Sequence, residues 1–305
     1  MIEAHELTKI YRKRRAVDRL TFRIEPGRVT GFLGPNGAGK STTIGLILGL
    51  DGPTSGRVLV DGKPYRALER PLRQVGTLLD ATAVHGGRRA RDHLRWLAQT
   101  NDIPRGRVDE VLRLTGLADA AHRRVGGFSL GMKQRLGIAA ALLGDPGILI
   151  LDEPVNGLDP DGVHWIRGLV RSLAAEGRTV LISSHLMSEM QLTADHLLIL
   201  GRGRLLSDSS MTELVRPGGE VHVRTDRDTP LPALLSERGA HVATEGGGRL
   251  TIAGLEPGAI AAVAAAHGIP LVELTPHQPS LEDVFRRITD EDVLYRAGTH
   301  QENPR

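Results

Sequence analysis

The sequence contains no cysteine, so neither a disulfide nor a thiolate metal site exists in this chain, which suits a reducing cytoplasm. No stretch approaches the roughly 18 to 20 consecutive apolar residues that a membrane-crossing helix needs. If the protein works at a membrane, it must dock on the helices of another chain. The opening residues Met1-Ile2-Glu3-Ala4-His5-Glu6 carry acids where a signal peptide has a basic segment, and no apolar core follows. Charge of one sign is also missing. Against 39 basic side chains stand 36 acidic ones, and a surplus of +3 is too small to argue for nucleic acid. Lysine is scarce: Lys9, Lys13, Lys40, Lys63 and Lys133 are the only ones, so a lysine at a special position calls for a reason.

What is present is a globular composition, 40% hydrophobic and 25% charged over 305 residues. Such a length holds one domain of about 200 to 250 residues and a smaller one. Ile2 to Thr8 and Val17 to Ile24 alternate as two edge strands, joined by the basic run Arg12-Lys13-Arg14-Arg15, which reads as a solvated turn. Val29 to Leu33 reads as a buried strand, followed by a glycine-rich turn and a helix over Thr42 to Leu50. Ile148 to Leu151, Thr179 to Ser183 and Leu197 to Leu200 are short apolar runs bounded by turn residues, as central strands of a parallel sheet are. Val163, Ile166, Leu169, Val170 and Leu173 share one face of a helix between two of these strands, a crossover unit. From about Arg88 to Leu143 the pattern is helical, with breaks near Pro104 and Gly126-Gly127. It reads as a helical subdomain, about 85–145, inserted into the α/β core.

Composition shifts after about Arg216. Strand, helix, two strands, helix and strand follow, from Val221 to Leu274, in the βαββαβ order of ferredoxin-like units. Ser280 caps a last helix with Asp283 three residues on. The expected domains are therefore 1–215, 216–290 and a flexible tail, 291–305.

Gly34-Pro35-Asn36-Gly37-Ala38-Gly39-Lys40-Ser41-Thr42 fits the phosphate-binding pattern G-x-x-x-x-G-K-[ST], with a strand before it and a helix after it. A triphosphate is a dense anion that backbone N–H groups must approach from several directions. Glycine permits the required angles, and the helix start adds unpaired donors and the positive end of its dipole. Lys40 supplies a compact charge for the β- and γ-phosphates, and Ser41 a hydroxyl for Mg²⁺. The strand Ile148 to Leu151 ends in Asp152 and Glu153, whose side chains diverge and need different partners. Asp152 suits the coordination shell of Mg²⁺, and Glu153 suits a general base that polarises the attacking water.

With these elements in place, the chain resembles the ATP-binding cassette (ABC) family. The resemblance covers roughly residues 1 to 215. It rests on Gly34 to Thr42, on Ser129-Leu130-Gly131-Met132-Lys133-Gln134-Arg135, on Asp152-Glu153-Pro154, on Gly157-Leu158-Asp159 and on His185, in the family's order. The middle motif separates ABC proteins from other phosphate-loop NTPases. The family usually reads L-S-G-G-Q there, whereas this chain reads Phe128-Ser129-Leu130-Gly131-Met132.

The resemblance implies a fold and a cycle. The fold is an α/β phosphate-loop NTPase cassette, a mixed sheet with an inserted helical subdomain, followed by the small α+β unit. Two copies would face head to tail as a homodimer, each covering the ATP of the other with Ser129 and Gly131. Hydrolysis would then open the pair. Asp159 would sit at the dimer seam, His185 would contact the γ-phosphate and the water, and Tyr11 would stack on adenine. The family usually has Gln after the strand that here reads Val75-Gly76-Thr77-Leu78-Leu79, where this chain has Asp80. Asp80 is carried over as a ligand near Mg²⁺, with the consequence that its charge repels the γ-phosphate. The subunit resembles those of bacterial drug and multidrug exporters, which implies a separate integral-membrane permease, a place on the cytoplasmic face of the membrane, and no nucleic acid. The alternatives are an ABC ATPase acting on ribosomes or DNA, and a phosphate-loop kinase outside the family, which would have no use for Ser129 to Arg135.

Overall fold

The computed structural model describes residues 1–215, 220–226, 229–277 and 280–289. By their internal contacts these divide into two units, with the boundary between Met211 and Thr212.

The first unit opens with β1 (Ile2–Tyr11), β2 (Arg14–Ile24) and β3 (Val29–Leu33), and then α1 (Lys40–Ile47) and β4 (Ser55–Val60). The short helix α2 (Pro71–Gln74) leads into β5 (Val75–Leu78). Three helices follow, α3 (Ala90–Thr100), α4 (Gly106–Leu114) and α5 (Leu130–Leu142). The chain continues through β6 (Ile148–Leu151), α6 (Pro160–Ala175), β7 (Thr179–Ser184), α7 (Met187–Thr193), β8 (His196–Gly201) and β9 (Arg204–Ser210).

Six of these strands form one sheet in the order β5-β6-β7-β3-β8-β9, parallel except where β9 turns back on β8. All residues of β3, β6, β7 and β8 are buried, as the near-continuous apolar runs require of a parallel sheet covered on both faces. On α6 the expected face is turned inward at Ile166, Val170 and Leu173, and Asp159 caps the helix by accepting the N–H of Gly162 at 2.9 Å. Each such fully buried aliphatic side chain contributes about 1.5–3 kcal/mol. Helices α3 to α5 lie between β5 and β6 in the chain, where a helical insertion was expected. Loops at 101–105 and 115–129 separate them, the second of which includes a 3₁₀ turn at Val125–Gly127.

The structure departs from the sequence reading in three places here. β1 and β2 are not edges of the main sheet. With β4 they form a separate antiparallel sheet, β2-β1-β4. β4 itself escaped notice because Ser55-Gly56-Arg57-Val58-Leu59-Val60 lacks alternation and buries only its last residue. Helix α1 starts at Lys40, two residues before the expected Thr42, because Gly39 already serves as its N-cap.

The short helix α8 (Met211–Leu214) straddles the boundary, and the second unit goes on with β10 (Glu220–Thr225), α9 (Leu231–Ser236), β11 (His241–Thr244), β12 (Arg249–Ala253), α10 (Pro257–Ala266) and β13 (Leu271–His277). Its strands pair antiparallel in the order β11-β12-β10-β13, the ferredoxin-like arrangement that the βαββαβ order anticipates. Val221, Val223, Leu250 and Ile252 form a core with Leu231, Leu235, Ile260 and Val263 of the two helices. Ser280 and Asp283 exchange capping hydrogen bonds at the start of a helix over 281–289. The expected tail, 291–305, lies outside the described residues.

Candidate active site

β6, β7 and β3 are parallel neighbours, so their C-terminal ends lie side by side, where open α/β sheets hold ligands. The phosphate-binding motif follows β3, the acid pair ends β6, and His185 follows β7. The hairpin end of β1 and β2 completes the wall. The resulting cleft is lined by Tyr11, Arg14 and Ala16, by Pro35, Asn36, Gly37, Gly39, Lys40, Ser41 and Thr42, and by Glu153.

The loop from Gly34 to Gly39 is held as a turn by the Ala38 N–H donating to the Pro35 carbonyl at 3.1 Å. Gly39 lies at φ 106°, and a Cβ there would come within 2.8 Å of the Ala16 carbonyl oxygen, so both backbone angle and space demand glycine. Thr43 is the first residue of α1 whose N–H finds a helical acceptor, Gly39, at 2.8 Å. The N–H groups of Lys40, Ser41 and Thr42 therefore have no partner within the helix, and they share the positive end of its dipole. That donor set fits a polyphosphate. The Lys40 ammonium is nearly buried and donates to the carbonyls of Gly34 at 2.5 Å and Pro35 at 3.4 Å. Burial pushes its pKa below that of an ordinary lysine, while the charges of Glu153 and Asp152 pull it back up.

Both acids depend on Ser183, the fifth residue of β7. Its hydroxyl donates to the Asp152 carboxylate and accepts the Glu153 N–H at 2.9 Å. Glu153 itself lies at φ 49°, a left-handed conformation that costs a non-glycine residue about 1–3 kcal/mol. Gln134 of α5, buried, holds it there by donating to the Glu153 carbonyl at 3.1 Å. His185 Nδ1 lies 2.8 Å from Glu153 Oε2. An ionised carboxylate only accepts, so with Glu153 ionised Nδ1 carries the proton. Asp152 and Ser41 offer hard oxygen donors of the kind Mg²⁺ takes, which fits that ion beside the phosphate loop.

Tyr11 is half exposed, and its ring is fixed rather than free. Its hydroxyl donates to Asp51, which also accepts from Lys9 Nζ at 2.6 Å and from the Gly52 N–H at 2.8 Å. The Lys9 ammonium lies 4.8 Å from the ring centroid. The hydrogen bond to Asp51 raises the pKa of the phenol.

Gly34 and Ala38 belong to the loop, and Asp152 and His185 stand behind Glu153, without lining the cleft themselves; Asp80, Ser129 and Gly131 do not line it either. Asp80 is exposed at the end of β5, and its carboxylate accepts the N–H of Thr82 at 2.7 Å and its hydroxyl at 2.6 Å. Those bonds hold its pKa below the usual carboxylate range. Ser129 and Gly131 stand at the start of α5, where Ser129 is exposed and caps the helix by accepting the Met132 N–H at 3.2 Å. Leu130, which replaces a glycine of the family pattern, rests on Gly157, a position at φ 76° with no room for a Cβ. Sequence reasoning missed the roles of Ser183 and Gln134. The polar pair Ser183-Ser184 ending an otherwise apolar strand was the available signal for the first.

A family model described as "ABC transporter" matches residues 17–156, and another, described as a domain of unknown function, matches residues 219–282. The chain is 36% identical over 296 residues to the bacitracin transport ATP-binding protein BcrA of Bacillus licheniformis, covering 94% of this chain and 97% of that protein. It is 31% identical over 309 residues to the Nod factor export ATP-binding protein I of Cupriavidus metallidurans, covering 96% and 98%. A solved structure described as an ATP-binding subunit of an ABC transporter superposes with a TM-score of 0.65 at 28% identity, covering 71% of this chain and 92% of that one.

Proposed function

Because the chain belongs to the ABC transporter family and is its ATP-binding, ATP-hydrolysing subunit, we propose that two copies close over bound ATP and reopen after hydrolysis, driving export through a separate membrane permease. One observation carries the reading. The phosphate loop and Glu153 line one cleft, with Asp152 tied in behind Glu153 through Ser183 and His185 bonded to Glu153, while Ser129 and Gly131 of the same chain stand outside it at an exposed helix start. A second copy supplies that missing cover, with the Ser129 hydroxyl and the first N–H groups of α5 as donors to a terminal phosphate.

Within this reading each side chain has a task. The loop N–H groups and Lys40 bind the phosphate chain, and Tyr11 offers its face to the base. Mg²⁺, held by Ser41 and Asp152, would neutralise phosphate charge. Glu153 takes a proton from the attacking water. His185 fixes the Glu153 carboxylate through Nδ1, and as an imidazolium donates from Nε2 to phosphate as well. Ser183 and Gln134 hold Glu153 in place. Asp80, tied to Thr82, is the weakest of the proposed ligands. Among the described residues no helix is long and apolar enough to cross a membrane, so contact with the bilayer is assigned to the permease. The transport and export named for the relatives support a drug-like or hydrophobic cargo.

The test is Glu153→Gln. This variant is expected to bind ATP, to hydrolyse it at least about 100-fold more slowly, and to run as a dimer in light scattering only when ATP is present. A variant that binds ATP and stays monomeric sinks the closing model. Crosslinking of the intact protein in membranes that captures no hydrophobic chain sinks the permease.

A further inference from the structure

Arg14 belongs to the basic run Arg12-Lys13-Arg14-Arg15, which the sequence alone presents as a solvated turn. The structure separates these four residues. Arg15 pairs with Asp18 at 2.7 Å, within a cluster that also takes Arg204 at 2.7 Å. Arg14 makes no ion pair with any described residue, and it lines the nucleotide cleft, as Arg12 and Lys13 do not.

Its direction follows from the register of the hairpin. Tyr11 and Arg14 are Cα partners closing the β1–β2 turn. Residues directly opposite one another in an antiparallel pair project from the same face, so the hairpin presents an aromatic ring and a guanidinium side by side. Ala16, where the β1–β2 register shifts and which also lines the cleft, seats the strand against the phosphate loop, its carbonyl filling the space at Gly39. Two backbone bonds secure that contact. The Asp18 N–H donates to the Gly203 carbonyl at 2.8 Å, and the Gly203 N–H donates to the Ala38 carbonyl at 2.9 Å. The Arg14 guanidinium is thereby carried over the loop, and its Nη2 lies 3.6 Å from where a Cβ on Gly37 would stand.

We propose that Arg14 is a phosphate ligand, a second cation beside Lys40 that grips the polyphosphate of the nucleotide from the hairpin side. This rests on the reading of the cleft as a nucleotide site. The two cations differ in kind. Lys40 is a nearly buried point charge tied to main-chain carbonyls. Arg14 is exposed and carries a planar fork suited to two phosphate oxygens at once. A single hairpin then holds both ends of the ligand, with Tyr11 for the base and Arg14 for the phosphates.

The experiment measures binding of ATP, and separately of inorganic tripolyphosphate, to the full chain by calorimetry at two salt concentrations. Arg14→Ala is expected to weaken both by about ten-fold, as loss of a charge-assisted bond does, and to flatten the salt dependence of each. Lys13→Ala, on the same turn but outside the cleft, is expected to leave both unchanged, and Arg14→Lys to restore part of the loss. Arg14→Ala binding both ligands within about two-fold of the parent, while Lys40→Met binds neither, overturns the role of Arg14 and leaves the cleft intact. Unchanged binding by Lys40→Met overturns the nucleotide reading itself. Loss of ATP binding by Arg14→Ala with tripolyphosphate unaffected also overturns the proposal, since the guanidinium then acts on the nucleoside.

Discussion

Removing the Ser183 hydroxyl tests whether the two acids of the site are positioned by a single buried atom. Ser183 is fully buried, and its hydroxyl uses both capacities, donating to Asp152 and accepting from the Glu153 N–H. In Ser183→Ala the N–H loses its acceptor, a loss of about 1–3 kcal/mol, and Asp152 loses a charge-assisted donor of about 1.5–3 kcal/mol. Asp152 and Glu153 are only half-buried, so water recovers part of this and the expected destabilisation is about 2–4 kcal/mol. For a unit of this size that lowers Tm by about 4–16 °C. The effect on turnover is separate. Glu153 is held at φ 49° by this bond and by Gln134. With one restraint gone, its backbone relaxes toward extended values and the carboxylate leaves its place beside His185. Turnover is expected to fall about 10- to 100-fold, the scale of a misplaced general base. The loop from Gly34 to Thr42 is untouched, so ATP affinity should change less than about three-fold. Thermal unfolding, steady-state hydrolysis and nucleotide titration check the three figures. A variant with the parent's Tm and turnover refutes the reasoning, as does one whose ATP affinity falls in step with its turnover.

Three further outcomes follow from two charged groups. Lys40→Met should lose the stabilisation that ATP confers, about 2.7 kcal/mol at a ligand concentration 100 times Kd, while its ligand-free Tm stays close to the parent's. Burial depresses the native pKa of Lys40 below 10.5, so the penalty is present at neutral pH and is relieved as pH rises through the native value. The parent should therefore gain stability relative to Lys40→Met in alkaline solution, as calorimetry across pH would read. Asp18 shows the opposite sign. Burial pushes its pKa up, but hydrogen bonds from Arg204 and Arg15 outweigh that and leave it below 3.8. Its stabilisation is present above 3.8 and is lost as pH falls through the native value, so Asp18→Asn should flatten the acid limb of the unfolding curve. An acid limb as steep as the parent's would contradict this.

Much of this molecule was legible in the order of its residues, because the signals are local. A phosphate loop needs its glycines, lysine and hydroxyl within nine consecutive positions, and the strand before and the helix after are written beside it. The buried strands β3, β6, β7 and β8 show as apolar runs, and the βαββαβ order of the second unit yields one familiar antiparallel sheet. What escaped depends on distance in space. β4 pairs with β1 across more than forty residues, and a half-exposed strand carries little period of its own. Gln134 and Ser183 act on Glu153 from 19 and 30 residues away, and neither separation has a pattern. The turn Arg12 to Arg15 is four similar cations in sequence. Only the pairing of Tyr11 with Arg14 and the seating of Ala16 against Gly39 turn one of them toward the cleft, because a strand fixes which side chains share a face and tertiary packing fixes what that face meets.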